Sequence, residues 1–165
     1  MKIIKGIFAL LTVIVVAWGG LMFWQGLKSK QTTANIGLEN GSLKPCGDKP
    51  NCISSVNEAG SPFFFRPIES ENIEVTWDNL NILLPELGFT IVKAEENYIH
   101  ATATTAFFRF VDDMEFLLNE ANNKIFVRSQ SRVGYSDMGT NRKRMHHLVH
   151  ELMNMGQGPA EGEKP

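Results

Sequence analysis

Arginine is concentrated where the chain is otherwise apolar. Arg128 to Arg144, RSQSRVGYSDMGTNRKR, holds four arginines, one lysine and a single acid, Asp137. A guanidinium presents a planar fork of donors that fits a carboxylate or a phosphate. Two acids, Asp112 and Asp113, precede it in FRFVDDMEF. The group Asp112, Arg128, Ser131, Arg132, Tyr135, Asp137, Asn141, Arg142 and Arg144 therefore has two readings. It is either a pocket for an anionic group (a phosphate, a carboxylate or a lipid headgroup) or an ion-pair network that ties a hairpin to the final helix. Arg142, Lys143 and Arg144 fall in the first turns of that helix, where each cation opposes the helix dipole by about 0.3–1 kcal/mol. Something negative must compensate, either an internal acid or a bound anion.

Recognisable catalytic patterns are absent. Gly134-Tyr135-Ser136-Asp137-Met138-Gly139 is one residue off a nucleophile elbow, and it follows an antiparallel hairpin, the wrong context for one. Ser136 or Asp137 as a helix cap is the plain reading. His146 and His150 stand at i and i+4 as in a zincin helix, but His147 occupies the place of the required Glu and no third ligand is evident. His100 has no assigned partner. Asp112 and Asp113 are strand neighbours and point to opposite faces. No phosphate loop or dinucleotide fingerprint occurs. No catalytic residue, metal or cofactor is assigned. The enzymatic alternative is a hydrolase acting on an envelope substrate, with Asp112 as acid/base and the arginines holding an anion.

The elements that carry these residues are legible from periodicity. Leu80, Leu83, Leu84 and Leu87 recur at helical spacing and predict a helix over 75–87, with Thr76 as a possible cap, Pro85 near its end and Gly88 as its stop. Residues 89–95 and 98–105 alternate as a hairpin turning at Glu96-Asn97. Residues 108–118 and 124–133 form a second pair. Facing its apolar positions sets Asp112 opposite or diagonal to Ser131 and Ser129, with Arg109, Asp113 and Glu115 meeting Arg128 and Arg132 on the other side. A last helix runs to about Asn154, its buried stripe Met145, Leu148, Val149, Leu152 and Met155. SPFFFRP at 61–67 is bounded by prolines and covers a sheet edge. The order predicts an α+β two-layer sandwich: a four-stranded antiparallel sheet with one helix before it and one after.

Upstream, Ile7 to Leu27 is 21 residues without a charge, and as a helix it spans roughly 31 Å, close to the hydrocarbon core of a bilayer. A cleaved signal peptide is the rival, but its apolar region is shorter and ends in small residues, whereas this one ends near Leu-Met-Phe-Trp. The expected organisation is a membrane anchor at 1–27, a flexible linker at 28–44, a globular domain at 45–155 and a disordered tail at 156–165. Cys46 and Cys52 are the only cysteines. Their turn-rich loop could close as a disulfide, with buried free thiols as the alternative; two thiols alone make a poor zinc site. A disulfide implies a compartment outside the cytosol.

Residues 45–155 hold 10 Lys and Arg against 15 Asp and Glu, an acidic balance that argues against nucleic-acid binding. PCGDKPNCISS, FRFVDDMEF and VRSQSRVGYSDMGTNRKR, in that order, resemble the domain-of-unknown-function family numbered 1499. The resemblance covers about 45–155 and implies no activity. The reading of the whole is a single-pass protein of the inner membrane, with a periplasmic or extracytoplasmic domain that binds a partner or a small anionic ligand without catalysis. A scaffold role, with SPFFFRP making contacts, is a further alternative.

Overall fold

The computed structural model describes residues 2–32 and 35–156. Helix α1 (Lys2–Gln31) is one unbroken rod. Its stretch from Ile3 to Gln31 has a mean hydropathy of 2.3 over its most apolar window, enough to cross a membrane or to act as a signal sequence. The apolar side chains from Ile3 to Val16 are all exposed. Only one face of its second half is covered: Gly26 and Ser29 are buried and Met22 half-buried, which is the i, i+3, i+4 spacing of a docked helix.

Strands β1 (Leu38–Glu39) and β2 (Ser42–Leu43) pair as a small hairpin. Asn40 and Gly41 between them take positive φ of 52° and 77°, the conformation that an Asn-Gly hairpin turn supplies. Residues 28–44, expected as a flexible linker, are thus partly regular: Lys28–Gln31 belongs to α1, and 38–43 is a hairpin.

The main sheet contains β3 (Cys52–Ser54), β4 (Ile68–Glu69), β5 (Thr90–Ala94), β6 (Tyr98–Thr104), β7 (Val111–Asn119) and β8 (Lys124–Ser131). Its order is β3-β8-β7-β6-β5, with β4 also on β8, and all these pairs are antiparallel. The four expected strands are its centre and one edge, and the sheet has six rather than four. The two extra strands are two and three residues long, too short to show an alternating pattern.

Helix α2 (Ile73–Glu86) starts earlier than its leucines suggest, because Asn72 caps it: the Val75 N–H donates to Asn72 Oδ1 at 3.2 Å. Thr76, the expected cap, lies inside the helix and its hydroxyl donates to the Asn72 carbonyl at 2.9 Å. Helix α3 (Thr140–Gly156) closes the described chain. Residues 157–165, most of the expected tail, lie outside the described residues.

Both helices cover one face of the sheet. Leu80, Leu84, Met145, Leu148 and Leu152 pack onto Ile99, Met114, Phe116, Ile125 and Val127. The register Phe116↔Val127 and Leu118↔Ile125 sets these apolar positions on that inner face. SPFFFRP lies along the β3 edge: the Ser54 N–H donates to the Phe63 carbonyl at 2.9 Å and the Phe65 N–H to the Ser54 carbonyl at 3.2 Å. Phe65 enters the core. Cys46 and Cys52 are joined as a disulfide.

Candidate functional site

The charged residues sort onto the two faces of the sheet. On the inner face, Asp112 stands opposite Ser131. Its Oδ2 accepts from Arg144 Nη2 at 2.7 Å. Asn141, buried at the start of α3, joins the strands to the helix: Ser129 Oγ and Arg144 Nη1 donate to its Oδ1, each at 2.7 Å, and its Nδ2 donates to the Asn51 carbonyl and to Ser131 Oγ, each at 3.1 Å. An inward carboxylate is costly unless paired, and this set of bonds meets that requirement.

On the outer face, Glu115 and Arg128 stand opposite each other and are almost fully buried. Arg128 Nη1 donates to Glu115 Oε2 at 2.6 Å and to the Asn35 carbonyl at 3.1 Å, and its Nη2 donates to Gln130 Oε1. Glu115 Oε1 accepts from the Gly37 N–H at 2.6 Å and from the Tyr98 hydroxyl at 2.8 Å. Burial, then the Glu115 hydrogen bond, pushes the Tyr98 phenol above its usual range. The ion pairing expected on this face is present for Glu115 and Arg128, and the face is also covered. The chain from Asn35 to Leu43 lies across it, and Leu43 packs with Tyr98 and Leu117. The legible signal was Asn40-Gly41 between two leucines.

Beside that pair, Asp113 takes two bonds from Arg132, both at 2.8 Å, and one contact with His100 Nε2 at 2.8 Å. Burial works to raise the Asp113 carboxyl, but Arg132 and then His100 outweigh it and hold it below its ordinary value. The same bonds raise Arg132, against the opposing effect of its partial burial. A His–Asp–Arg set has the components of an acid/base relay, yet His100 is itself buried within the sheet. Sequence reasoning left His100 unpartnered because the pairing depends on β6 and β7 lying side by side.

The α3 entry carries the remaining candidates. Asp137 receives the Gly139 N–H at 3.0 Å and the Asn141 N–H at 2.7 Å, so it supplies the negative group that the basic first turn requires. Arg142 turns away from the helix and donates to the carbonyls of Pro62 and Phe64 at 2.7 and 2.9 Å, its guanidinium over the Phe65 ring. Arg109, expected to join the outer acids, lies in the loop before β7 and is exposed. His146 leans on Phe65, and His147 and His150 face outward.

Of the nine candidates, Asp112, Ser131, Asn141 and Arg144 come together in one cluster. Arg128 and Arg132 belong to the opposite face. Tyr135 and Asp137 lie on the loop before α3, and Arg142 on the first turn of that helix points away from the cluster. There a cleft of about 220 Å³ is bordered by Pro50, Ile53, Pro62, Phe63, Asp137 and Arg142. Among the described residues no group of three or more His, Cys, Asp or Glu is placed to hold a metal ion.

No curated protein and no solved structure matches the chain. A family model described as a protein of unknown function (DUF1499) matches residues 42–152, from the second strand of the small hairpin to the last turns of α3. With that match covering most of its length, the chain belongs to the DUF1499 family.

Proposed function

We propose that the chain is a single-pass membrane protein whose domain is a non-catalytic binding module, held close to the bilayer by its own anchor. The observation that carries this reading is the seating of α1. The Ser29 hydroxyl is buried and accepts the Val111 N–H at 3.0 Å. Gly26 lies so near the next loop that an added Cβ would stand 1.6 Å from the Phe108 carbonyl oxygen. Cleavage of α1 as a signal peptide after Ser29 would remove these contacts and expose the start of β7. A retained anchor is the simpler account. The Cys46–Cys52 disulfide supports an extracytoplasmic side, periplasmic if the cell has an outer membrane.

The binding part rests on what is left open. The Asp112, Arg128, Arg132 and Arg144 side chains are engaged inside the protein, which favours a framework role for them. The same pairing tells against Asp112 as a hydrolase's acid/base, since its carboxylate faces Arg144 inside the fold. The cleft beside Arg142 remains accessible. Its lining joins proline, isoleucine and phenylalanine to the Arg142 guanidinium and the Asp137 carboxylate. The carboxylate is taken up by the Gly139 and Asn141 N–H groups, which leaves the guanidinium to receive a ligand with an apolar body and an acidic group.

Two measurements test the reading. The intact mass of the chain purified from membranes should include α1, and the chain should stay in the pellet after an alkaline carbonate wash. A mass that lacks residues 3–25, with release into the supernatant, would refute it. In a thermal-shift titration of the full chain in detergent, small carboxylates should raise the Tm of wild type and raise that of Arg142→Ala less. Equal shifts in both proteins, or none in either, would remove the cleft from the proposal.

A further inference from the structure

We infer that the end of the sheet built from the β6–β7 loop and the β8–α3 loop is a lipid-facing surface, resting in the headgroup region of the bilayer that α1 crosses. This rests on the reading of α1 as a retained anchor. The topology places the parts. β6 ends and β7 begins at the pair Thr104↔Val111, and β8 ends at Ser131 opposite Asp112. The loops 105–110 and 132–139 therefore leave the same end of the sheet. α1 passes that end as well. Ser29 meets Val111, and three turns earlier, roughly 16 Å along the helix, the Trp18 ring meets Phe108 edge-on at 5.8 Å. Followed toward the N-terminus, the contacts move from the strand to the loop. The exposed apolar half of α1 thus continues outward beyond this end of the domain.

The side chains at this end match a bilayer surface. Outside α1, the three most exposed large apolar residues are Met138 at 89%, Phe107 at 84% and Tyr135 at 72%. All three lie on these two loops. Aromatic and apolar side chains gathered on one exposed surface mark an interaction site, and the headgroup region is where such rings settle. The loops are also held in shape. Met138 has φ of 54° between Gly134 and Gly139, both at positive φ, and its N–H donates to Ser136 Oγ at 3.2 Å. The other loop is closed by Thr105 N–H to the Phe110 carbonyl at 2.8 Å and Phe110 N–H to Thr105 Oγ1 at 2.9 Å. Backbone groups satisfied in this way tolerate a low-dielectric interface. Arg109 and Lys143 are exposed at the same end and offer cations to lipid phosphates.

The test uses the full chain in vesicles of phosphatidylcholine and phosphatidylglycerol, with and without brominated acyl chains. An environment-sensitive fluorophore is attached to a cysteine introduced at position 11, 107, 122, 135 or 138, with the native disulfide kept oxidised and each melting temperature checked against wild type. Leu11→Cys reports on the anchor, and Asn122→Cys, in the turn between β7 and β8, reports on the opposite end of the sheet. The expected result is blue-shifted emission with bromine quenching at 11, 107, 135 and 138, and neither at 122. Quenching at 11 with 107, 135 and 138 behaving like 122 would overturn the inference and leave the anchor standing. A blue shift at 107, 135 and 138 without bromine quenching would overturn it in favour of coverage by protein. No quenching at 11 would remove the anchor reading and the inference with it.

Discussion

The Ser29 hydroxyl accepts the Val111 N–H at 3.0 Å and donates to the Gly26 carbonyl at 2.6 Å, so the last turns of the apolar helix complete the first residue of a central strand. A helix that only tethered the domain would need no such bond. Ser29→Ala leaves a buried N–H without its acceptor, a change that costs about 1–3 kcal/mol. Chemical denaturation of the full chain in detergent should show this loss, while alanine at the exposed Thr12 should not. Gly26→Val should have the larger effect, since its side chain must displace the Phe108 backbone. Circular dichroism melts of both variants provide the check.

Glu115 and Arg128 form the most deeply buried ion pair, at 2.6 Å. Removing one partner strands the other charge, a loss of roughly 3–5 kcal/mol. Glu115→Ala and Arg128→Ala should each come close to preventing folding. The double replacement Glu115→Leu with Arg128→Met should recover much of the loss, measured as expression and melting temperature. If the double variant is no better than either single one, the pair is not the unit that the geometry implies.

Asp113 gives the domain a defined acid sensitivity. Its carboxyl titrates lower in the fold than in the unfolded chain, where it sits near the ordinary value of about 3.9. The folded state therefore gains stability from it above that value and loses this gain as the pH falls through the lower, folded value. Denaturation curves at descending pH should show stability falling below about pH 4. Asp113→Asn should be weaker at neutral pH and flatter in that window.

Asp137 should act as a helix cap. Asp137→Ala removes the acceptor for two N–H groups and the capping acid at the basic start of α3, a loss of about 1 kcal/mol or somewhat more. Asp137→Asn should retain part of it, and urea midpoints separate the two.

How much of this was legible depends on the range of each interaction. The hairpin 124–133 on 108–118 could be registered from alternation alone, and Asp112 does face Ser131. The α3 stripe was equally plain, with Met145, Leu148 and Leu152 all in the core. Local signals, however, do not say what lies over a sheet. Arg128 and Glu115 were placed on one face of the hairpin, but their burial depends on Asn35 to Leu43 folding back across 78 to 93 residues. The polar composition of that stretch masked the Asn40-Gly41 turn. Arg142 shows the same limit: its partners are carbonyls of Pro62 and Phe64, and a backbone carbonyl leaves no mark in a sequence. The docking of Gly26 and Ser29 was hidden for another reason, since small residues in an apolar helix look the same whether they face lipid or protein.

The central claim is that α1 belongs to the fold, and the amide hydrogen exchange of Val111 tests it most directly. In the full chain in micelles, the Val111 N–H should be strongly protected, and Ser29→Ala should abolish most of that protection while leaving Phe116, deep in the same strand, unchanged. A Val111 amide that already exchanges freely in the wild-type chain would contradict the claim, and α1 would then be only a tether or a leader.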